Sequence, residues 1–395
     1  MLAPATPSSS YRRPIALLAV AGFASQAMVR SADTLLPQIA SDLAVTIGAA
    51  SVIVSAYTLA HGSLQLFLGA FADRFNRYLM CAITCALSAF TVASCGLTDG
   101  LGALTAARIA SGLTASWVIP LGLAFIGDVV PFEQRQTVIG RYLSGQITGQ
   151  LFGQAAGGIL GDLVGWRGAF FVHAAIFALA SLALAREYAT NPLTRTGTHD
   201  RAASAGALAG YRIVLTDPWS RFVILVVFLE AALVFGAFAF VGADLHVRFG
   251  LGFTAVGVVV ATFAVGGLIY AASVKELFPR LGASGLAASG GCVLGLAFLL
   301  LAVAPRWWLA PLGVTAIGLG FYMLHNTLQT TATQMSPQAR GTAVGLFSCA
   351  LYFGQTTGVA LTGSLIDRAG APPAFAVVAV LLPALGFWFA GRLRG

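Results

Sequence analysis

"GQITGQLFGQAAGGILG", residues 145–161, places glycine at positions 145, 149, 153, 157 and 161 and follows the first three with glutamine. In a water-exposed helix interior each of those glycines would cost roughly 1 kcal/mol relative to alanine. The segment makes sense as a helix only where close backbone approach outweighs that loss. Lipid supplies the condition. Acyl chains are as apolar as leucine, so helices in a bilayer associate through small residues at i, i+4, which form a flat groove for a neighbour. Composition agrees: the chain is 58% hydrophobic and 9% charged, with a mean hydropathy of +0.85, against roughly 25% charged residues in a soluble domain.

The length must then be divided into apolar runs of about 20 residues. Reading between charged and turn-forming breaks gives spans at 14–36, 47–71, 79–98, 101–127, 137–161, 168–185, 220–242, 253–274, 283–304, 308–333, 341–364 and 372–391. The runs are continuously apolar, which excludes the alternation a membrane β-barrel requires. The fold class is therefore all-α and integral to a membrane, with twelve transmembrane helices. Arg12 and Arg13 precede the first run as in a signal peptide, but no small-residue cleavage site follows, so the first run reads as an uncleaved span. The five cysteines show no metal-type spacing and read as packing residues.

The net charge of +8 is explained by its placement. With both termini cytoplasmic, 16 of the 22 Lys and Arg fall at the cytoplasmic face, as topogenesis demands. No nucleic-acid partner is needed to account for it. The polar stretch "REYATNPLTRTGTHDRAASAGALAGYR", 186–212, divides the spans six and six. The expected organisation is a cytoplasmic tail (1–13), an N-terminal six-helix bundle (14–185), an inter-bundle linker (186–219) and a C-terminal bundle (220–395). An internal repeat supports two pseudo-symmetric bundles. "FGQAAGGILG" at Phe152 recurs as "FGQTTGVALTG" at Phe353, and "RQTVIG" at Arg135 as "RGTAVG" at Arg340, with the second copy shorter by four residues, about one helical turn. Gly354 and Gly358 then share the packing role of Gly145, Gly149, Gly153, Gly157, Gly158 and Gly161, and the glycine face is expected against a helix of the other half. Gln146, Gln150 and Gln154 form a second row turned about 100° from the glycines; bare amides are costly against lipid, so this row faces a cavity or a partner helix.

"GAFADRFNR", 69–77, lies between spans two and three and resembles the G-x-L-x-D-R-x-G-R loop of the major facilitator superfamily through Gly69, Asp73, Arg74 and Arg77. Asn76 stands where that pattern has glycine, and asparagine tolerates left-handed backbone. Arg108 in "ARIASGLTAS" resembles the R-x-x-x-G element of span four. Gly149, Gly153, Gly157, Gly158 and Leu160 resemble the span-five antiporter signature, with Gln154 in place of its proline. The resemblance covers nearly the whole chain. It implies a twelve-helix secondary transporter, closest in pattern to bacterial drug/metabolite:proton antiporters, in which Asp73, Arg77 and Asp128 form a latch.

Chemistry must come from intramembrane ionisable residues, because charge at that depth is disfavoured unless paired or hydrated. Of the 14 acids, only Asp33 and Glu230 fall within spans. Glu230, mid-span in "FLEAALVFG", is the first candidate for carrying a proton; a neutral carboxyl serving helix packing is the alternative. Arg30 and Asp33 are three residues apart near the outer end of span one and share a face, with Gln26 one turn deeper. Paired with Arg30, Asp33 is the weaker carrier. Arg30 with Arg108 gives two cations against one anion, a site for an anionic substrate group. In "FYMLHNTLQTT", His325 and Gln329 share a face beside Asn326. His325 is a further proton or substrate group. Gln146, Gln150, Tyr57 and Tyr322 complete the expected substrate lining.

No H-E-x-x-H, G-x-S-x-G or aspartate-rich pair points to an enzyme, and no metal or cofactor is expected. The reading is a monomeric, proton-coupled transporter of a bacterial inner membrane, exporting small organic or amphiphilic compounds by alternating access. The alternative is an uptake symporter for a small organic anion.

Overall fold

The computed structural model describes residues 11–66, 75–195 and 207–394. All regular structure among them is helical. The membrane helices are α1 (Arg12–Asp42), α2 (Ile47–Gln65), α3 (Arg77–Gly96), α4 (Leu101–Val129), α5 and α6, α7 (Pro218–Phe249), α8 and α9, α10 (Trp307–Gln334), α11 (Pro337–Ala369) and α12 (Ala371–Arg392). Helices α5 and α6 divide the continuous stretch Phe132–Thr190 at Gly165, and α8 and α9 divide Phe253–Val303 at Gly282. Both glycines adopt positive φ, 71° and 61°, where a side chain would be strained. Among the described residues, ten long apolar stretches with two such breaks make twelve helices.

Helix α1 runs on through Pro37 to Asp42. Arg30 and Asp33 therefore lie two to three turns inside its end, deeper than a span stopping at 36 would place them. A short helix, Ala207–Thr216, precedes α7 and bridges the seam between halves: Tyr211 donates to the Leu66 carbonyl at the end of α2, and Gly210 lies against Thr342 of α11. The face carrying this helix is called here the linker face, and the opposite one the far face.

Asp217 caps α7 outside the span, accepting the Ser220 amide at 2.7 Å. The Ser220 side chain first, and its amide second, hold the carboxyl below the usual range. With a depressed folded-state value, the cap stabilises above the unfolded pKa of about 4 and loses its contribution as pH falls through the folded value. Asp217→Ala is expected to cost about 1 kcal/mol at neutral pH, and less once the pH falls below the unfolded value of about 4, in thermal unfolding of the micelle-bound protein.

The glycine face of α5 packs on α1 of its own half. A Cβ on Gly145 would lie 2.8 Å from the Ala19 carbonyl oxygen, and those on Gly149 and Gly153 would collide with the Phe23 and Ala27 carbonyls. Gly157 meets Ser31 and Thr34. Only the far-face end of the stripe turns to the other half: a Cβ on Gly158 would fall 2.9 Å from Gly257 Cα, and Gly161 lies between Leu35 of α1 and Phe253 of α8. The expectation of a cross-half partner thus holds for one turn of α5, because a helix with glycine at both 157 and 158 presents two adjacent grooves.

In the second half Gly354 meets Phe228, and Gly358 meets Ala232. These contacts set the repeat in a constant offset of 205 residues: Arg135 and Arg340, Gly149 and Gly354, Gly153 and Gly358, Gly158 and Gly363, Asp162 and Asp367, Gly165 and Gly370. Gly165 and Gly370 share the same unusual backbone, φ 71° ψ 170° and φ 79° ψ 176°. There is no four-residue shortening. The "FGQ" match at Phe152 and Phe353 is out of frame by one turn, a slip that a glycine period of four leaves undetected in sequence.

Apolar side chains gather into two main cores, one around Leu18, Tyr78, Phe125 and Phe177, the other around Val226, Phe298, Leu324 and Phe375. On the far-face side the halves close on each other through α2 with α11 and α5 with α8. On the linker side, pockets of about 570 Å³ between α1 and α5 and about 650 Å³ beside α8 and α10 open, and Gln329, Thr330, Thr333 and Gln334 of α10 are exposed.

Candidate functional site

Among the described residues, three charged groups stand out near the middle of the spans. In the first, Arg30 Nη1 pairs with Asp33 Oδ2 at 3.0 Å, one turn apart on α1 as their spacing requires. The same guanidinium reaches across the seam: Nη2 donates to Gln355 Oε1 of α11 at 3.4 Å, and Cζ lies 4.0 Å from the centroid of the Phe235 ring of α7. Arg30 and Phe235 are themselves 205 residues apart, so the contact joins repeat-equivalent positions.

The second cluster joins α7 to α10. Glu230 Oε2 and His325 Nδ1 are 2.8 Å apart; Glu230 is wholly buried, and its Oε1 has no hydrogen-bond partner. A ring stack connects the two clusters. Phe235 packs on Phe321 with centroids 4.9 Å apart, and Phe321 stacks on His325 at 4.7 Å. Two contacting rings thus lie between the Glu230 pair and Arg30.

The third is Arg108 of α4, fully buried. Its Nε donates to the Ile53 carbonyl of α2 at 3.2 Å, and its plane covers Tyr57, with Cζ 4.2 Å from the centroid. Both terminal nitrogens are without a hydrogen-bond partner. A buried guanidinium with free donors is suited to receive an anion or a carbonyl. Tyr57 also stacks on His61, whose ring meets Tyr352 of α11 at 4.6 Å; the Tyr57 hydroxyl is unpartnered. Gln26 engages Tyr352 from α1.

Gln146 is half-buried over Gly22 of α1, Gln150 is half-buried, and Gln154 is fully buried with neither amide atom hydrogen-bonded. Tyr322 packs on Gly267 of α8, Asn326 borders the pocket beside α8, and Gln329 is exposed a turn below His325. Asp33, Arg30, Glu230 and His325 are thus linked through one stack; Arg108 and Tyr57 lie outside that stack, although Arg108 is close enough to interact with the Asp33 charge. Sequence reasoning missed Gln355 and Phe235. Gln355 was hidden in the "FGQ" segment, where it served only as a repeat marker, and a phenylalanine in an apolar span carries no signal.

Of the expected latch, Gly69, Asp73 and Arg74 lie outside the described residues. Arg77 pairs with Asp128, which ties α3 to α4. Asn76 does not use left-handed backbone. At φ −63° and ψ 115° it is the N-cap of α3, accepting the Leu79 amide at 2.8 Å, and it donates to the Thr194 carbonyl at 3.0 Å. Asparagine replaces glycine here as a cap rather than as a turn.

Breaking the Arg30 pair gives a direct energetic test. Arg30→Gln leaves Asp33 buried without its cation and is expected to cost about 3–5 kcal/mol. Adding Asp33→Asn should recover at least about 1 kcal/mol, read as thermal unfolding of the single and double variants.

The Major Facilitator Superfamily model matches residues 18–358. The chain belongs to this superfamily. It is 26% identical over 357 residues to YceJ, an uncharacterized MFS-type transporter of Bacillus subtilis, covering 88% of each chain. It is also 26% identical over 283 residues to a chloramphenicol resistance protein of Streptomyces lividans, covering 71% of this chain and 70% of that one. Among solved structures, a bacterial homolog of the human lysosomal transporter Spinster, inward-facing and unoccupied, superposes with a TM-score of 0.75 at 17% identity, over 98% of this chain and 97% of that one. This superfamily member is a membrane transporter, not an enzyme.

Proposed function

We propose that this superfamily member is a proton-coupled secondary transporter that exports small organic or amphiphilic compounds by alternating access. The observation that carries the reading is the buried Glu230–His325 pair, 2.8 Å apart on α7 and α10. Adding or removing one proton changes the charge of this pair by one in a site with few other partners. The ring stack through Phe321 and Phe235 gives that change a path to Arg30, which touches both halves. Alternating access needs such a link between a titrating site and the seam that opens. Resemblance to a chloramphenicol resistance protein favours export of a small organic or amphiphilic compound.

In this reading residues 14–185 and 220–395 are the two moving bundles, 186–219 joins them, and 1–13 is a tail. The linker face is cytoplasmic, the membrane is a bacterial inner membrane, and the protein works as a monomer. With the far face closed, the conformation is inward-facing. Gln26, Gln146, Gln150, Tyr57, Tyr322, Asn326 and Gln329 supply substrate contacts, and Asp33 assists the proton site. The second reading is uptake of a small organic anion, favoured by the free donors of Arg108.

Proteoliposomes with an imposed pH gradient separate the two. A thermal-shift screen starting from chloramphenicol supplies the ligand, because binding stabilises the folded state by mass action. Export predicts that ligand and protons cross in opposite directions; co-directional movement would replace it with the symport reading.

A further inference from the structure

Asp162 and Asp367 end the two helices α5 and α11, each 27 residues beyond the arginine of its R-x-T-x-x-G segment. Each reaches across the seam to the start of a helix in the other half. Asp162 Oδ2 accepts the Thr254 amide of α8 at 2.6 Å. Asp367 Oδ1 accepts the Gly48 amide of α2 at 2.9 Å, and its Oδ2 takes the Thr46 hydroxyl at 2.6 Å. Thr254 and Gly48 are both the second residue of their helices, so the two carboxylates occupy repeat-equivalent caps. Each meets a first-turn amide whose helix has no carbonyl for it, at the positive end of the dipole.

Beneath each cap the backbones touch. A Cβ on Gly158 would lie 2.9 Å from Gly257 Cα, and one on Gly363 would lie 3.2 Å from Gly48 Cα. Neither carboxylate could keep its hydrogen bonds if the far-face seam separated. We infer that Asp162 and Asp367 are a matched pair of latches that hold the far face shut and set the balance between the two access states. This inference rests on alternating access, and it concerns a different part of the molecule from the proton site. A charge at a helix terminus favours the closed state roughly three-fold, so the two caps together favour it about ten-fold.

The test places a reporter under one latch. Ser55 of α2 is buried against the Thr356 carbonyl of α11, 3.3 Å away and about two turns below Gly48. Ser55→Cys, in a background with Cys81, Cys85, Cys95, Cys292 and Cys349 replaced, is labelled with a bulky maleimide in phosphatidylglycerol/phosphatidylethanolamine nanodiscs. Asp162→Asn and Asp367→Asn, which preserve shape, are expected to raise the labelling rate about three-fold singly and ten-fold together. Spin labels at Leu163 and Val247, exposed far-face positions in different halves, should gain a longer-distance population in the double variant. Each single variant keeps one cap, so a failure of the double to fold leaves the comparison intact. Measurable parental labelling that neither variant accelerates would overturn the latch and leave alternating access standing. A reporter unreactive in every variant, with one unchanging spin-label distance, would overturn both.

Discussion

Glu230→Gln is expected to reduce ligand accumulation driven by a pH gradient by at least about ten-fold, to the level of protein-free vesicles, while ligand affinity changes by less than about two-fold. Glutamine retains the shape and a hydrogen bond to His325 but removes the titrating proton. The buried carboxyl has no partner on Oε1 and only His325 on Oε2, so the exchange leaves no other group uncompensated. Counterflow of labelled against unlabelled ligand needs no net proton movement and should survive. The check is paired: gradient-driven uptake and counterflow in the same proteoliposomes. Loss of both would mean that Glu230 serves binding or folding, whereas retention of both would remove it from coupling.

A second large effect, on stability, is expected at the glycine stripe. Gly153→Leu drives a side chain into the Ala27 carbonyl of α1, and Gly358→Leu does the same at Ala232 of α7. Backbone cannot give way as a flexible side chain can, so each is expected to cost more than about 3 kcal/mol and to leave little folded protein. Gly140, in the same helix α5, has nothing near an added Cβ, and Gly140→Ala should be neutral or slightly stabilising through helix propensity. Fluorescence-detected size exclusion and thermal unfolding of the three variants measure this contrast. Equal tolerance at 140 and 153 would mean that the stripe does not pack as described.

These two predictions draw on features that the sequence exposes unequally. The twelve helices were legible because lipid requires apolar runs of a set length, and the breaks at Gly165 and Gly282 leave that count intact even where two helices run on as one. The Arg30–Asp33 pair was legible because helix geometry brings i and i+3 together. Glu230 and His325 each stood out as an ionisable group at depth, yet their pairing lies across helices 95 residues apart and needed coordinates. The register of the repeat was misread for a different reason: glycine every fourth residue matches itself after a slip of one turn. The arginine segments at 135 and 340 lack that periodicity and kept the frame. Asp162 and Asp367 passed unnoticed because acids at span ends are commonplace, and nothing local says that a helix from the other half begins beside them.

Proton exchange at a defined site is the claim on which the functional account turns, and proton release on ligand binding tests it most directly. In weakly buffered micelles, ligand binding to the parent protein is expected to change bulk pH, with a stoichiometry that varies with pH as one group titrates. The Glu230→Gln variant, binding the same ligand to the same saturation, should exchange no protons. Proton exchange of equal size in that variant would contradict the account.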